Sequence, residues 1–282
     1  MRLSPKVALN NGVLIDQLGF GLYKVPSADA RSLVFTALQT GYRHVDTATL
    51  YGNEIGTGQG VGMAGDVTHD GGQLGREDIF VTSKLWNDDQ GYDSTLRAFD
   101  ESMSRLGLEY LDMYLIHWPV PGRGLFVESY RAMETLYNEG RVRAIGVSNF
   151  QPEHLERLLE ASNVVPAVNQ VELHPWLQQN ELRELHDSLG IKTEAWSPLG
   201  RGKVLEDPKI AEIAAQHHRT PAQIILRWHM HQGNIAIPKA SSAARIRENL
   251  NVFDFELGAP DLAAIAALDR GFRSGSDPNK VV

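Results

Sequence analysis

The segment AIGVSNFQPEHLERLLEASNVVPAVNQVE, residues 144–172, contains one complete strand–helix–strand unit. Residues 144–147 are apolar and half of 167–172 are, as in short buried strands, whereas the intervening residues 152–160 have helical spacing. Two apolar strands joined by a helix favour parallel pairing, with the helix covering the sheet. This unit therefore predicts an α/β protein with a parallel sheet.

The same alternation recurs along the chain. Eight repeats of about 35 residues fit a closed (β/α)8 TIM barrel, here expected as a single domain over residues 1–282. The turn Asn10-Asn11-Gly12 between two short alternating segments predicts an additional N-terminal β-hairpin. The predicted strands are 18–22, 44–46, 79–85, 113–117, 144–147, 167–172, 192–196 and 235–238, with further helices over 28–40 and 94–106.

An open, doubly wound sheet is the alternative interpretation of this pattern. Such a sheet carries a G-x-G-x-x-G fingerprint after its first strand, but here that strand continues into Gly21-Leu22-Tyr23-Lys24. A glycine-dense segment does occur over residues 56–75, but it lacks the GK[ST] ending of a P-loop. Because so many glycines disfavour a helix, this segment is predicted to be a mobile surface loop.

Composition excludes several classes of function. The 282 residues include no cysteine, which removes disulfides, thiolate metal sites and a cysteine nucleophile. The 27 basic and 35 acidic residues give a formal net charge of −8, so neither nucleic acid nor an anionic membrane is an expected partner. No apolar run could span a bilayer and the N-terminal residues do not resemble a signal peptide, so a cytoplasmic protein is expected.

Polar residues collect where the predicted strands end. Asp46 ends the second strand with Tyr51 just beyond it, Lys84 lies near the end of the third, and His117 ends the fourth. Each alone could be a helix cap, a packed ring or a satisfied core histidine, but together they would bury several polar groups at one rim. Barrel enzymes carry their active sites on this rim, so the set predicts an active site. Later strands add Ser148, Asn149, Asn169, Gln170, Glu172, Trp196 and Lys239.

Several strings resemble the aldo-keto reductase family, namely GYRHVDTATLYGNE, IFVTSKLW, LDMYLIHWP, IGVSNF, PAVNQVELHP, AWSPLG and IPKASSAARIREN. The resemblance extends over nearly the whole chain. It is greatest to the bacterial 2,5-diketo-D-gluconate reductase-like branch, whose members reduce diketo-sugar acids and small dicarbonyls. It implies a monomeric (β/α)8 barrel that binds NADPH in an extended form and reduces a small-molecule carbonyl substrate.

The resemblance assigns catalytic roles to four residues. Tyr51 matches the proton donor of the family. Asp46 and Lys84 match the pair that supports it, and His117 matches the histidine that orients the carbonyl. Because an ammonium group favours a nearby phenolate, Lys84 is expected to lower the pKa of Tyr51 from its ordinary value of about 10. Negative charge develops on the carbonyl oxygen during reduction, and a hydrogen-bond donor there stabilises it.

The resemblance also implies where the nicotinamide binds. Its carboxamide is expected to contact Ser148, Asn149 and Gln170. Trp196 is expected to stack on the nicotinamide ring, at a position where many members of the family have tyrosine.

The adenosine end of the cofactor is expected at a local basic patch. The resemblance implies that Lys239 and Arg245 pair with the 2′-phosphate, which distinguishes NADPH from NADH. Ala240 replaces a serine that is usual in the family, so some use of NADH stays open beside NADPH. The remaining expected cofactor contacts are Ser197, Leu199, Ser241, Glu248 and Asn249.

Aromatic residues beside the catalytic strand ends are expected to form the substrate pocket. These are Tyr23, Trp86 and Trp118, and the alternative is that the two tryptophans only fill the core. Histidines also occur in pairs at 217–218 and 229–231, but no thiolates or suitably spaced carboxylates accompany them. No metal site is predicted.

Two other functions are alternatives to carbonyl reduction by an aldo-keto reductase. A short-chain dehydrogenase would need a Tyr-x-x-x-Lys pair and a glycine fingerprint after the first strand, and the sequence has neither. A non-catalytic NADPH-binding regulatory protein of the same fold is the second alternative. It would have no use for all four of Asp46, Tyr51, Lys84 and His117, so the sequence favours an NADPH-dependent enzyme.

Overall fold

A computed structural model describes residues 3–69 and 72–281. The strands along the chain are β1 (Lys6–Ala8), β2 (Leu14–Asp16), β3 (Phe20–Gly21), β4 (His44–Asp46), β5 (Thr68–His69), β6 (Gly72–Gln73), β7 (Phe80–Leu85), β8 (Leu111–Ile116), β9 (Val142–Ser148), β10 (Val168–Glu172), β11 (Lys192–Trp196) and β12 (Ile235–Ala236). Eight of them form one parallel sheet in the order β3-β4-β7-β8-β9-β10-β11-β12.

The first and last strands of this sheet meet and close it. The Gly19 amide donates to the carbonyl oxygen of Ala236 at 2.9 Å, and the Ala236 amide donates to that of Gln17, also at 2.9 Å. Further along, the Gly21 amide donates to the Pro238 carbonyl at 3.1 Å. The predicted (β/α)8 barrel is therefore confirmed, and the open-sheet alternative is wrong.

Helices follow most of the barrel strands and cover the outside of the barrel. Their boundaries agree closely with the predicted ones where the sequence supplies a stop signal: the first helix ends at Thr40, before Gly41 with φ of 120°. No helix among the described residues is long and apolar enough to cross a membrane. The helices are α1 (Ser27–Thr40), α2 (Glu54–Gly62), α3 (Tyr92–Leu106), α4 (Phe126–Asn138), α5 (Pro152–Leu159), α6 (Asn180–Leu189), α7 (Pro208–Gln216), α8 (Pro221–His231), α9 (Ala243–Leu250) and α10 (Ala259–Ala266).

The N-terminal hairpin β1–β2 is present and covers the amino-terminal end of the barrel. Gly12 in its turn has φ of 84°, which explains the glycine there. The Asn10 side-chain amide donates to the Pro166 carbonyl at 3.1 Å, and that of Asn11 donates to the Arg143 carbonyl at 2.9 Å. Buried Ile15 belongs to the apolar cluster that fills this end, which leaves the opposite rim for function.

The prediction of a mobile loop over residues 56–75 is wrong for those of its residues that the structure describes. Its first part lies in helix α2, which begins at Glu54 and ends at Gly62. A short 3-10 turn at Ala64–Asp66 and the small antiparallel pair β5–β6 follow. Residues 70 and 71 of this segment lie outside the described residues.

The glycines of α2 permit close packing against two neighbouring helices. A Cβ atom at Gly58 would lie 1.8 Å from the carbonyl oxygen of Leu106, at the end of α3. One at Gly60 would lie 2.7 Å from the Cβ of Val34 in α1. The loop prediction rested on the backbone entropy of glycine alone. Tertiary packing against α1 and α3 offsets the low helix propensity of the glycines.

We expect Gly58→Ala to destabilise the protein by about 2 kcal/mol or more, because the added methyl group meets backbone rather than a movable side chain. Gly62→Ala is the matched control, since nothing lies within 4 Å of a Cβ at that position. It should be neutral or stabilising by up to about 1 kcal/mol through its higher helix propensity. Urea denaturation of the three proteins measures both effects. Equal stabilities of the two variants would contradict the close-packing explanation.

Candidate active site

The carboxyl ends of the barrel strands surround a cavity. It brings together residues from the ends of β4, β9, β10 and β11 and from the loops that follow them, as the sequence predicts. Gly21, Leu50, Arg201 and Ile237 also line it and were not predicted. The predicted site residues that line this cavity are Tyr23, Asp46, Tyr51, His117, Trp118, Ser148, Asn149, Gln170, Trp196, Ser197 and Lys239.

An ion pair lies buried beside this cavity. The Nζ atom of Lys84 donates to Oδ1 of Asp46 at 2.6 Å and to the backbone carbonyl of Thr47 at 2.9 Å. Both side chains are almost fully inaccessible to solvent. A buried ammonium group is tolerated only when it is paired and hydrogen-bonded, so these contacts make the buried Lys84 possible.

Tyr51 lies on a 3-10 turn, Thr49–Tyr51, that follows β4. Asn53 holds this turn in place, because its side-chain amide donates to the carbonyl oxygen of Leu22 at 3.0 Å. The Lys84 Nζ atom lies 5.1 Å from the centroid of the Tyr51 ring. The ring centroids of Tyr51 and His117 are 5.7 Å apart and nearly perpendicular, at 77°. The four predicted catalytic residues are thus neighbours.

The expected lowering of the Tyr51 pKa by Lys84 is wrong. Burial raises the pKa of Tyr51 well above its usual range, and the negative charge of Asp46 adds to the effect. The Lys84 ammonium, paired with Asp46, does not outweigh these two effects. Burial and the Lys84 charge lower the pKa of His117. Tyr51 is therefore a protonated phenol and His117 a neutral imidazole with one N–H at neutral pH.

Gln170 connects this group to a further acid that sequence analysis missed. Its Nε2 atom donates to Oδ2 of Asp46 and to Oε2 of Glu194, both at 2.8 Å. Burial, reinforced by the charge of Asp46, raises the pKa of Glu194 to about 8. The available signal was its position in β11, since Glu194 precedes Trp196 by two residues and shares its face of the strand.

The residues expected to contact the nicotinamide already bond with each other. The Asn149 Nδ2 atom donates to the His117 carbonyl and to Oγ of Ser148, both at 3.0 Å. The Asn149 Oδ1 atom accepts from Nε1 of Trp196 at 2.8 Å. Both amide hydrogens of Gln170 are in use, so its Oε1 atom remains to accept from a carboxamide. Asn149 must exchange one partner before it can donate to the carboxamide oxygen.

A second cavity of about 760 Å³ continues from the first. The two share Tyr23, Ser197, Arg201 and Lys239, so together they form one elongated cleft. The Arg201 guanidinium lies 5.9 Å from the ring centroids of both Tyr23 and Trp196. The length of this cleft is consistent with an extended dinucleotide. The predicted residues that line the second cavity are Ser197, Leu199, Lys239, Arg245, Glu248 and Asn249.

The far end of the cleft carries the expected basic patch. Neither Lys239 nor Arg245 is ion-paired within the part of the chain that the structure describes, so both can pair with a phosphate. Glu248 is held by the Thr220 hydroxyl, which donates to Oε1 at 2.8 Å. Ser241 is exposed and does not line this cavity. The contact expected from Ser241 stays a prediction for a residue outside this cavity.

The predicted substrate residues divide into two groups. Tyr23 and Trp118 line the first cavity, and the Tyr23 ring centroid is 5.3 Å from that of Tyr51. Trp86 does not line it but packs edge-on against His117, at 5.3 Å between ring centroids. Trp86 is partly buried and contacts His117 without lining the cavity, so its place in the substrate pocket stays a prediction.

A segment near the C-terminal end packs against the site. Buried Glu172 accepts from the backbone amides of Ser274 at 2.7 Å and Gly275 at 3.0 Å, and from the Ser274 hydroxyl. A Cβ atom at Gly275 would lie 2.4 Å from the Trp196 ring. The segment thus touches the aromatic ring that was expected to stack on nicotinamide. Within the described residues, no group of three or more His, Asp or Glu side chains could hold a metal ion.

The fold and this site define a barrel oxidoreductase with an elongated dinucleotide cleft. A sequence profile of the Aldo/keto reductase family matches residues 17–270. The chain belongs to this family. The predicted class of an NADPH-dependent oxidoreductase is confirmed.

Similar proteins cover the whole of this chain or nearly so. The aldo-keto reductase of Mycolicibacterium smegmatis is 54% identical over 276 residues, which is 98% of each protein. The glyoxal reductase of Bacillus subtilis is 46% identical over 281 residues, covering 99% of this chain and 98% of its own. The crystal structure of a Gox0644 mutant in complex with NADPH superposes with a TM-score of 0.93 at 47% identity and covers 100% of both chains.

We expect Glu172→Gln to lower the melting temperature at neutral pH by roughly 2–6 °C. Burial opposes ionisation of Glu172, but hydrogen bonds from His174, Ser274 and Gly275 outweigh it and lower its pKa to about 2. The ionised form is thus favoured in the folded state, and its contribution is present above about pH 4.5 and lost as the pH falls toward 2.

Thermal unfolding followed by circular dichroism at several pH values measures this effect. The difference between wild type and Glu172→Gln should shrink as the pH approaches 2. Exposed Glu181, replaced by glutamine, controls for loss of a surface charge. A constant difference across the pH range would show that the Glu172 charge does not anchor the segment.

Proposed function

We propose that this protein reduces small aldehydes, ketones and dicarbonyls, with keto-sugar acids as a further class of substrate. The observation that carries the proposal is the buried Lys84–Asp46 pair, set beside Tyr51 and His117 at one cavity. The similar glyoxal reductase of Bacillus subtilis supports the choice of small dicarbonyls. The cavity continues into a cleft with a basic end, which supports a phosphorylated dinucleotide as the reductant.

Each catalytic residue has a distinct role in this proposal. The bound reduced nicotinamide supplies the hydride that adds to the carbonyl carbon. Tyr51 donates its phenolic proton to the carbonyl oxygen, which completes the alcohol. The neutral His117 imidazole donates a hydrogen bond that orients the same oxygen.

The tyrosinate that remains after proton transfer also needs stabilisation. The Lys84 ammonium lies 5.1 Å from the centroid of the Tyr51 ring. Asp46 holds that ammonium in place through a 2.6 Å hydrogen bond. The Lys84 ammonium attracts this new negative charge, so it keeps the pKa of Tyr51 lower than burial and Asp46 alone would make it.

The cofactor would be held at both ends of the cleft. Gln170 offers an acceptor to the carboxamide, Asn149 can donate to it after exchanging a partner, and Trp196 offers its ring to the nicotinamide. Lys239 and Arg245 supply positive charge for the 2′-phosphate at the other end.

The protein is further proposed to be a monomer with a single domain, to be cytoplasmic and to bind no nucleic acid. The formal net charge of −8 disfavours binding to polyanions. Size-exclusion chromatography with light scattering tests the monomer, and cell fractionation tests the location.

We expect Tyr51→Phe to reduce kcat/KM by about 10²- to 10⁴-fold while the Kd for NADPH changes little, because only the proton donor is lost. Consumption of NADPH, followed at 340 nm with methylglyoxal as substrate, measures turnover. Tyr92→Phe, at an exposed tyrosine of α3, is the matched control. Near-normal kcat in Tyr51→Phe would refute the proposed donor. NADPH binding without turnover of any carbonyl by the wild-type protein would favour the non-catalytic regulator.

We expect Lys239→Met and Arg245→Met to weaken binding of NADPH about ten- to a hundredfold more than binding of NADH, since only NADPH carries the 2′-phosphate. Fluorescence titration with each cofactor measures the two dissociation constants. Arg247→Met removes the same charge from an exposed position in α9 and should leave the ratio unchanged. Equal losses for both cofactors would show that these residues do not recognise the phosphate.

A further inference from the structure

Two buried titratable side chains inside the barrel take no part in the proposed reaction. Oε1 of Glu194 on β11 lies 3.4 Å from Nε2 of His44 on β4, and both side chains are fully inaccessible to solvent. Within the described residues, neither of these two atoms has a standard hydrogen-bond partner. Unpaired polar atoms are costly in such a place, so the position of the protons between them matters.

The surroundings of His44 determine which of its nitrogens carries hydrogen. Its Nδ1 atom lies 3.3 Å from the backbone carbonyl oxygen of Asp16, which can only accept. Burial lowers the pKa of His44 to about 3, so the ring is neutral and its single hydrogen belongs on Nδ1. Nε2 is then an acceptor that faces Glu194. A carboxylate there would set two acceptors against each other, whereas a carboxylic acid would donate to Nε2.

The second oxygen of Glu194 is also consistent with an acid. Oε2 accepts from Gln170 at 2.8 Å, as the carbonyl oxygen of a carboxylic acid does. Gln170 gives its other amide hydrogen to Asp46, which also accepts from Lys84. With one proton on Oε1 of Glu194, both amide hydrogens of Gln170, the acid hydrogen of Glu194 and the Nδ1 hydrogen of His44 each have an acceptor.

We infer that Glu194 functions as an un-ionised carboxylic acid that positions Gln170 and keeps Asp46 the sole negative charge next to Lys84 and Tyr51. Its effect on turnover rests on the proposed function. The groups that face it are His44 and Asp46 from β4, Lys84 from β7, Gln170 from β10 and Tyr51 from the turn after β4. On the neighbouring strand β12, the residue in register with Glu194 is the apolar Ile235.

Ionisation of Glu194 would disturb this arrangement. The neutral His44 cannot compensate a second carboxylate, and Lys84 would then face two negative charges. A negative charge at Glu194 raises the pKa of Tyr51 further and makes it a weaker proton donor. Turnover should therefore decline as Glu194 loses its proton in alkaline solution.

Glu194→Gln is the decisive variant, because a glutamine amide can donate to His44 and accept from Gln170 as the acid does. If the enzyme is inactive when Glu194 is ionised, wild-type kcat should fall roughly tenfold between about pH 7 and pH 9. Glu194→Gln should change less than about twofold over that range, and Glu181→Gln should follow the wild type. Glu194→Leu, which cannot form either hydrogen bond, should lose turnover at every pH.

A carbon-13 NMR titration of the wild-type protein labelled at the glutamate carboxyl carbons tests the protonation state without any variant. One glutamate resonance should titrate above about pH 7, far from the ordinary value near 4.3. Titration of every glutamate below about pH 6 would overturn the inference. An alkaline decline that persists in Glu194→Gln, or a folded Glu194→Gln as inactive as Glu194→Leu, would also overturn it. If no carbonyl is reduced by the wild-type protein, the proposed function fails, and the titration still decides the state of Glu194.

Discussion

The burial of the Lys84 ammonium is the constraint on which the rest of the site depends. An ammonium group removed from water requires hydrogen-bond acceptors, and Asp46 and the Thr47 carbonyl accept two of its three hydrogens. Asp46 is buried in turn, and its second oxygen accepts from Gln170. The chain of bonds continues to Glu194, so each buried polar group makes the next one necessary.

This chain of hydrogen bonds can exist only inside a closed barrel. Its members come from β4, β7, β10 and β11, and β4 and β11 are well separated in the order of the sheet. Closure through the hydrogen bonds between Gly19 and Ala236 brings the two ends of the sheet together. The hairpin β1–β2 fills the opposite end, so the polar groups accumulate at the remaining rim.

The turn that carries Tyr51 is connected to the same framework. Helix α2 begins three residues later with Glu54, whose carboxylate accepts from the Ser83 hydroxyl at 2.6 Å and from Arg105 at 2.7 Å. These bonds connect the turn to β7 and α3. The glycines of α2 allow the close approach to α1 and α3 that makes this possible. A segment that by composition resembles a loop is therefore part of the support for the candidate proton donor.

The sequence by itself determined the barrel, its N-terminal hairpin, the family and the residues at the strand ends. These follow from local properties, since the alternation of apolar strands and amphipathic helices and the residue types at each strand end are visible in the linear chain. Only the tertiary structure decided the helix over the first glycines after Tyr51, the position of Trp86 outside the cavity and the contact of Gly275 with Trp196. It also decided the high pKa of Tyr51 and the pairing of Glu194 with His44. These depend on burial and on contacts between residues distant in sequence, which no local pattern records.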